Sequence, residues 1–228
     1  METKQASRLR IISLFEDLGE AELARIAQSC VVRAYERHAQ ISGEHDHASD
    51  VFFILGGSVR VNSVSAEGRE IIFSELGAGD IFGEFAAIDG QPRSATMVAL
   101  SDCLLARMPG GKFFDLLRDN GAVSSRLVQL LVAKIRKMTE RVFEVSALSV
   151  RERVRRELLR LAADGEASGK SVVIRPAPTH YDIAARIGSH REAVTREINR
   201  LERDRLVEAS RREIRILDIA LLQDAGET

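Results

Sequence analysis

The chemistry-bearing residues of this chain concentrate in one segment, Gly77-Ala-Gly79-Asp-Ile-Phe-Gly83-Glu84-Phe85-Ala-Ala-Ile-Asp-Gly-Gln-Pro-Arg93-Ser94-Ala95-Thr96. Gly83 lets another group approach the backbone closely. Residues 84–88 suffice for one helical turn, whose free N–H groups would face an anion. Arg93 supplies a bidentate fork and Ser94 a hydroxyl, both suited to a phosphate. Glu84 only accepts, so it suits a ribose hydroxyl rather than a phosphate. Together these groups fit a sugar bearing one phosphate. The plainer alternative is a surface hairpin closed by an Arg–Glu salt bridge. No G-x-x-x-x-G-K-[ST] loop is present, so nucleotide hydrolysis is not implied.

A second concentration lies near the C-terminus. Ser149–Glu152, Thr179–Asp182 and Ser189–Glu192 each place a hydroxyl at a helix N-cap and a carboxylate three residues later, a capping-box spacing. Between the last two boxes, Ile183–Ile187 reads as a short helix and Gly188 as a tight turn, which makes a helix-turn-helix. The second helix, about His190 to Asp204, directs His190, Arg191, Glu192, Thr195, Arg196 and Asn199 outward, while Val194, Ile198 and Leu201 face the core. Arginine suits guanine and glutamate suits cytosine N4, so this face fits base readout in a major groove. Residues 175–215 hold ten Arg against seven Asp and Glu, a modest surplus for phosphates. The alternative is an ordinary solvated helix face.

These two sites need different scaffolds. Residues 30–108 read as short strands with Gly punctuation, including Val51–Leu55, Ser58–Asn62 and Ile71–Glu75, with a hairpin tip at Glu67-Gly68. A helical stretch, roughly Leu9 to Ser29, precedes them. From 123 to 148 neither Gly nor Pro occurs, and Val128, Leu131, Ile135, Met138, Val142 and Val145 recur at gaps of 3 and 4. Between polar flanks such a stripe suits a two-stranded homodimer seam, the alternative being a helix packed on its own domain. The stretch from Phe143 to Ser149 would be the hinge. The last 80 residues read as helical, apart from a hairpin wing formed by 205–209 and 213–217. The expected division is 1–120 for a ligand-binding β domain with flanking helices, 121–148 for the dimerisation helix and hinge, and 149–228 for a DNA-binding domain.

Composition narrows the function classes. The chain has 228 residues, with 33 Lys plus Arg against 34 Asp plus Glu, so only a local patch can attract nucleic acid. No apolar run is long enough for a bilayer, and the start lacks the apolar core of a signal peptide. Two cysteines, Cys30 and Cys103, make neither a disulfide framework nor a four-ligand metal site. The expectation is a cytoplasmic protein without metal, membrane partner or catalytic constellation.

The segment Phe82-Gly-Glu-Phe-Ala…Pro-Arg-Ser-Ala95 resembles the phosphate-binding cassette of cyclic-nucleotide-binding domains. With the long helix and Ser189-His-Arg-Glu-Ala-Val-Thr-Arg196 behind it, the chain resembles the cyclic AMP receptor branch of the receptor/FNR-type transcription regulators. That resemblance implies an α+β fold: a jelly-roll-like β-barrel, a long dimerisation helix and a winged helix-turn-helix. It also implies a homodimer, double-stranded DNA as partner and RNA polymerase as the machinery acted on. Gly83 and Glu84 would hold the ribose 2′-hydroxyl, with Phe85 in the same cassette. Arg93, Ser94 and the Ala95 backbone would take the cyclic phosphate. Met138 and Thr139 stand where the receptor has two successive hydroxyl residues on the adenine. Thr139 would reach the nucleotide of the other subunit, whereas Met138 lacks the hydroxyl, which admits cyclic GMP beside cyclic AMP. Arg191, Glu192 and Arg196 match the base-reading trio, implying a TGTGA-like inverted repeat, with Thr179, Ser189, His190, Thr195 and Asn199 on the same DNA face. The rival readings are a cyclic-nucleotide-binding regulatory subunit without DNA function, and a DNA-binding regulator with another ligand or none. The FNR branch's N-terminal cysteine cluster is absent from the sequence, and His45 and His47 read as exposed loop residues, not haem ligands.

Overall fold

The computed structural model describes residues 2–224. Its elements are α1 (Glu2–Leu9), a 3-10 turn (Ser13–Phe15), α2 (Glu20–Gln28), β1 (Val31–Tyr35), β2 (Gln40–Ser42), β3 (Val51–Gly56), β4 (Val59–Val64), β5 (Glu70–Leu76), β6 (Ile81–Phe82) and α3 (Glu84–Asp89). There follow β7 (Thr96–Ala99), β8 (Cys103–Met108), α4 (Gly110–Asp119), α5 (Gly121–Ala147), α6 (Val150–Ala162), β9 (Glu166–Ser168) and β10 (Ser171–Ile174). The chain closes with α7 (His180–Ile187), α8 (Arg191–Arg203), β11 (Val207–Ala209), β12 (Ile214–Ile216) and α9 (Ile219–Asp224). Contacts divide it into two compact units, Met1–Ile135 and Arg136–Thr228.

The first unit is a jelly-roll-like sandwich of two antiparallel four-stranded sheets, ordered β1-β8-β3-β6 and β2-β7-β4-β5. Strand β3 shows why its sequence is apolar throughout. Phe52 and Ile54 enter the layer between the sheets with Val59, Phe82, Met97 and Leu105. Val51 and Phe53 point the other way, onto Leu9, Phe15, Leu23, Phe113 and Leu127 from the helices. A strand buried on both faces loses the polar–apolar alternation of a half-exposed one. Glu67-Gly68 does turn the β4–β5 hairpin, with Gly68 at φ +77°.

The single helical stretch expected over Leu9–Ser29 is a correction: α1 ends at Leu9, and α2 starts only at Glu20. Gly19 punctuates the chain there, its N–H donating to Glu22 Oε2 at 3.1 Å. Asn120 Oδ1 accepts from the N–H groups of Ala122 and Val123 and so starts α5.

The second unit is a helical cluster, with Val154, Leu158, Ile183, Val194, Ile198 and Leu201 at its core, packed on a small antiparallel sheet ordered β11-β12-β10-β9. The wing, β11–β12, stands where the sequence places it. The hairpin β9–β10 does not appear in the reading of the last 80 residues as helical with a single wing. Its first strand is wholly exposed and only Val172 and Ile174 of the second are buried, too few positions to show a period of two.

The boxes Ser149–Glu152 and Thr179–Asp182 form as expected. The third does not: His190 is the N-cap of α8, without a side-chain bond, and Ser189 is buried. Ion pairs inside the second unit hold the C-terminal part of α5. Glu144 accepts two bonds from Arg160 Nη2 at 2.5 Å, and Arg141 pairs with Glu157 at 3.3 Å.

Candidate functional site

The loop after β6 begins at Gly83, whose φ of +84° makes it left-handed. A Cβ there would sit 2.5 Å from Arg93 Nη1 and 2.7 Å from the Asp50 carbonyl, so only glycine lets the guanidinium close on this turn. Arg93 is 2% exposed. Its Nη1 donates to the Gly83 carbonyl at 2.7 Å and its Nη2 to that of Asp50 at 2.5 Å, while Phe52 lies 6.0 Å beneath it. Its Nε has no partner. Among the described residues no carboxylate pairs with it, since Asp50 is given to Arg107 at 3.0 Å. Burial pulls its pKa down, opposed by the charges of Asp50, Asp46 and Glu84. The backbone of Arg93 is clamped as well, bonding to Asp46 and His45 at 2.9 Å each.

Glu84 is 2% exposed and takes Lys134 Nζ of α5 at 2.6 Å on Oε1. The same ammonium lies 5.8 Å from the centre of the Phe85 ring, which is otherwise half-exposed. Ser94 is exposed and Ala95 buried. Gly83, Glu84, Phe85, Arg93, Ser94 and Ala95 thus belong to one wall, whose buried polar groups are one cation and one carboxylate. The carboxylate is already shared with a lysine.

In the second unit, α8 exposes His190, Arg191, Glu192, Arg196 and Asn199 and buries Val194, Ile198 and Leu201, as its spacing requires. The turn before it is held by arginines. Arg153 Nη1 donates to the Ile187 carbonyl at 2.6 Å, and Arg141 Nη1 to that of Arg186 at 3.2 Å. Thr195 is occupied rather than open: its hydroxyl donates to the Arg191 carbonyl at 2.9 Å and lies 2.8 Å from His180 Nδ1.

The chain matches two domain families, the cyclic nucleotide-binding domain over residues 32–120 and the Crp-like helix-turn-helix domain over residues 152–225. The cAMP-activated global transcriptional regulator Vfr of Pseudomonas aeruginosa is 30% identical over 189 residues, covering 81% of this chain and 88% of Vfr. The cAMP-activated global transcriptional regulator CRP of Haemophilus influenzae is 29% identical over 181 residues, covering 79% of this chain and 81% of that one. The chain belongs to the CRP/FNR family.

Solved structures agree on the fold. A CooA mutant from Carboxydothermus hydrogenoformans has a TM-score of 0.79 at 19% identity, covering 94% of each chain. The c-di-GMP-responsive regulator CLP of Xanthomonas campestris has a TM-score of 0.78 at 18% identity, over 86% of this chain and 98% of CLP. CRP/FNR proteins are transcription regulators rather than enzymes. Among the described residues no helix is long and apolar enough to cross a membrane, and no cluster of His, Cys, Asp or Glu is set to hold a metal.

Within this CRP/FNR chain, helix α5 crosses the boundary between the units. Val128 and Ile135 lie in the first unit, Met138, Val142 and Val145 in the second, and all are exposed. Leu131 departs from that stripe: it packs on the helical core of the first unit, and Val132, 44% exposed, continues the apolar face instead. Met138 and Thr139 stand about one helical turn beyond Lys134, on the second unit's share of the helix. Three partners escaped the sequence: Lys134, Asp50 and His180. Lys134 is separated from Glu84 by 50 positions and Asp50 from Arg93 by 43, so no local spacing announces either.

Proposed function

We propose that this chain is a homodimeric, sequence-specific transcription regulator switched by a cyclic nucleotide. One observation carries the ligand half: Arg93 is a buried cation whose partners are two backbone carbonyls, with an orphaned Nε and no paired carboxylate among the described residues. Isolating a charge from water is unfavourable unless a counter-charge arrives, and a cyclic phosphate brings one. Ser94 and the Ala95 backbone join Arg93 on that phosphate. Gly83 and the Glu84 carboxylate take the ribose 2′-hydroxyl, with Phe85 at the rim. Cyclic AMP is the proposed ligand, and Met138, lacking a hydroxyl for adenine, admits cyclic GMP. Thr139 reaches the nucleotide held by the partner subunit.

The proposed division is a ligand domain over 1–120, a dimerisation helix over 121–148 and a winged helix-turn-helix over 149–228. The exposed stripe of Val128, Val132, Ile135, Met138, Val142 and Val145 supports pairing of two α5 helices. Two recognition helices one turn of DNA apart then read an inverted repeat of TGTGA-like half-sites. Arg191, Glu192 and Arg196 meet base edges, and Thr179, Ser189, His190, Thr195 and Asn199 surround them. Ligand acts by binding the DNA-competent arrangement more tightly than the other.

Calorimetric titration with cyclic AMP and cyclic GMP tests the ligand, with c-di-GMP as a third arm because the fold is shared with a regulator responsive to it. Heat with either mononucleotide, lost in Arg93→Ala, supports the reading; heat with neither removes it. A gel shift on an inverted-repeat duplex tests the DNA half, and Arg191→Ala should relax specificity at one base pair for roughly 1–3 kcal/mol.

A further inference from the structure

We infer that His180 is a proton-linked contact to the DNA backbone, held in one tautomer by the recognition helix; this rests on the DNA-binding reading above. His180 is the first residue of α7, next to the Thr179 cap, and is half-buried. Its Nδ1 lies 2.8 Å from Thr195 Oγ1, and that oxygen lies 2.9 Å from the Arg191 carbonyl. A hydroxyl has one proton, and a carbonyl can only accept. Both contacts hold together only if Thr195 donates to Arg191 and accepts from Nδ1–H. Neutral His180 therefore carries its proton on Nδ1 and a bare lone pair on Nε2, for which no hydrogen bond exists among the described residues.

Protonation alters nothing at Nδ1. The ring keeps its place, and Nε2 alone turns from acceptor into charged donor. In a helix-turn-helix the first helix crosses the phosphate backbone while the second enters the groove. A lone pair facing phosphate oxygens sets acceptor against acceptor, whereas N–H⁺ makes a charge-assisted bond. The charged groups around it do not pre-empt this. Asp182 on its own helix is tied to Thr179 Oγ1 at 2.6 Å. On α8, Arg191, Glu192 and Arg196 flank Thr195 in sequence, and none forms an ion pair with His180 among the described residues. The protonated ring consequently binds DNA more tightly than the neutral one.

The test is fluorescence anisotropy of the full chain on a labelled inverted-repeat duplex with saturating cyclic AMP, as salt series near pH 5.5 and near pH 8. The slope of log K against log salt should steepen at acid pH by about 0.9 per reading head. His180→Gln should lose that steepening, and His180→Arg should keep it at both pH values. With His190 replaced by Gln in both proteins, acid steepening retained in His180→Gln overturns the inference. Long-range nitrogen–proton spectra of the unmodified protein give an independent check, because an Nε2–H tautomer at neutral pH overturns it regardless of how the variants fold. Normal duplex binding with a pH-independent slope sinks the His180 contact alone. No duplex binding at any pH sinks the DNA-binding reading and this inference with it.

Discussion

Arg93 in the first unit and Glu157 in the second are each 2% exposed, yet their surroundings differ in kind. Glu157 touches three arginines, Arg160 at 2.6 Å, Arg141 at 3.3 Å and Arg186 at 3.4 Å. Its neighbour Glu144 is likewise ringed by Arg160, Arg156 and Arg141. Arg93 pairs with no carboxylate among the described residues and keeps an orphaned Nε. Both groups stand out of water, where partnerless charge is strongly unfavourable. The cluster of Glu144 and Glu157 is closed, since each carboxylate already has its cations, and its work is structural: it ties the end of α5 to α6 and α7. The cluster of Arg93 and Glu84 is open at Arg93, and under the proposed function the phosphate of the ligand closes it. Arg153 in the second unit is also buried on backbone carbonyls with an orphaned Nε, so an unfilled valence marks a ligand site only together with the glycine turn and hydroxyl that surround Arg93.

The largest effect that would break this contrast is at Glu157. Glu157→Ala leaves three arginines facing one another and should lower the stability of the second unit by about 3–5 kcal/mol, read by urea denaturation, with cyclic AMP affinity unchanged. If affinity fell in parallel, the two clusters would not be independent. Arg93→Met reverses the signature. Ligand affinity should drop on the order of 100-fold by calorimetry, while unfolding free energy shifts by less than about 1 kcal/mol, since it removes an uncompensated charge. A large loss of stability would make Arg93 a structural residue like Glu157.

Lys134→Met sharpens the middle case, because Lys134 partly closes the cluster of Arg93 and Glu84. Removing it strands the Glu84 carboxylate, and a change in affinity of about 5–10-fold is expected, smaller than at Arg93. A neutral counterpart is Cys30, buried beside the same helical core, whose effect is comparable to that at Lys134 and confined to alkaline pH. Burial pushes its thiol up to about 12. The folded value exceeds the unfolded one, near 8.5, so the stability it contributes is complete below that pH and disappears as pH rises toward 12. Between about pH 8 and pH 10 the unmodified protein should lose about 1–2 kcal/mol more than Cys30→Ala in parallel denaturant melts.

Much of the fold was readable before these partners were known. The cassette is contiguous, so Gly83, Glu84, Arg93 and Ser94 declare their chemistry through residue type alone. The boxes at Ser149 and Thr179 are three-residue signals, and both form. The box at Ser189 satisfies the same spacing and fails, because Ser189 is drawn into the buried turn and His190 takes the cap position. Leu131 fits the heptad arithmetic and yet faces inward, since spacing alone does not say which side of a helix its own domain covers. The hairpin β9–β10 was invisible because it buries so little of itself.

What the amino-acid order determined by itself was whatever lies within about one turn or one strand: caps, periodicities, the glycine turn at 83 and the types of group available for a phosphate. What only the tertiary structure decided was which charges meet. Glu84 with Lys134, Arg93 with the Asp50 carbonyl, Glu144 with Arg160 and His180 with Thr195 are pairs joined across other elements. The physical reason is that a polar group's state depends on its desolvation and its partners, and both are set by the packing of distant segments rather than by neighbours in the chain.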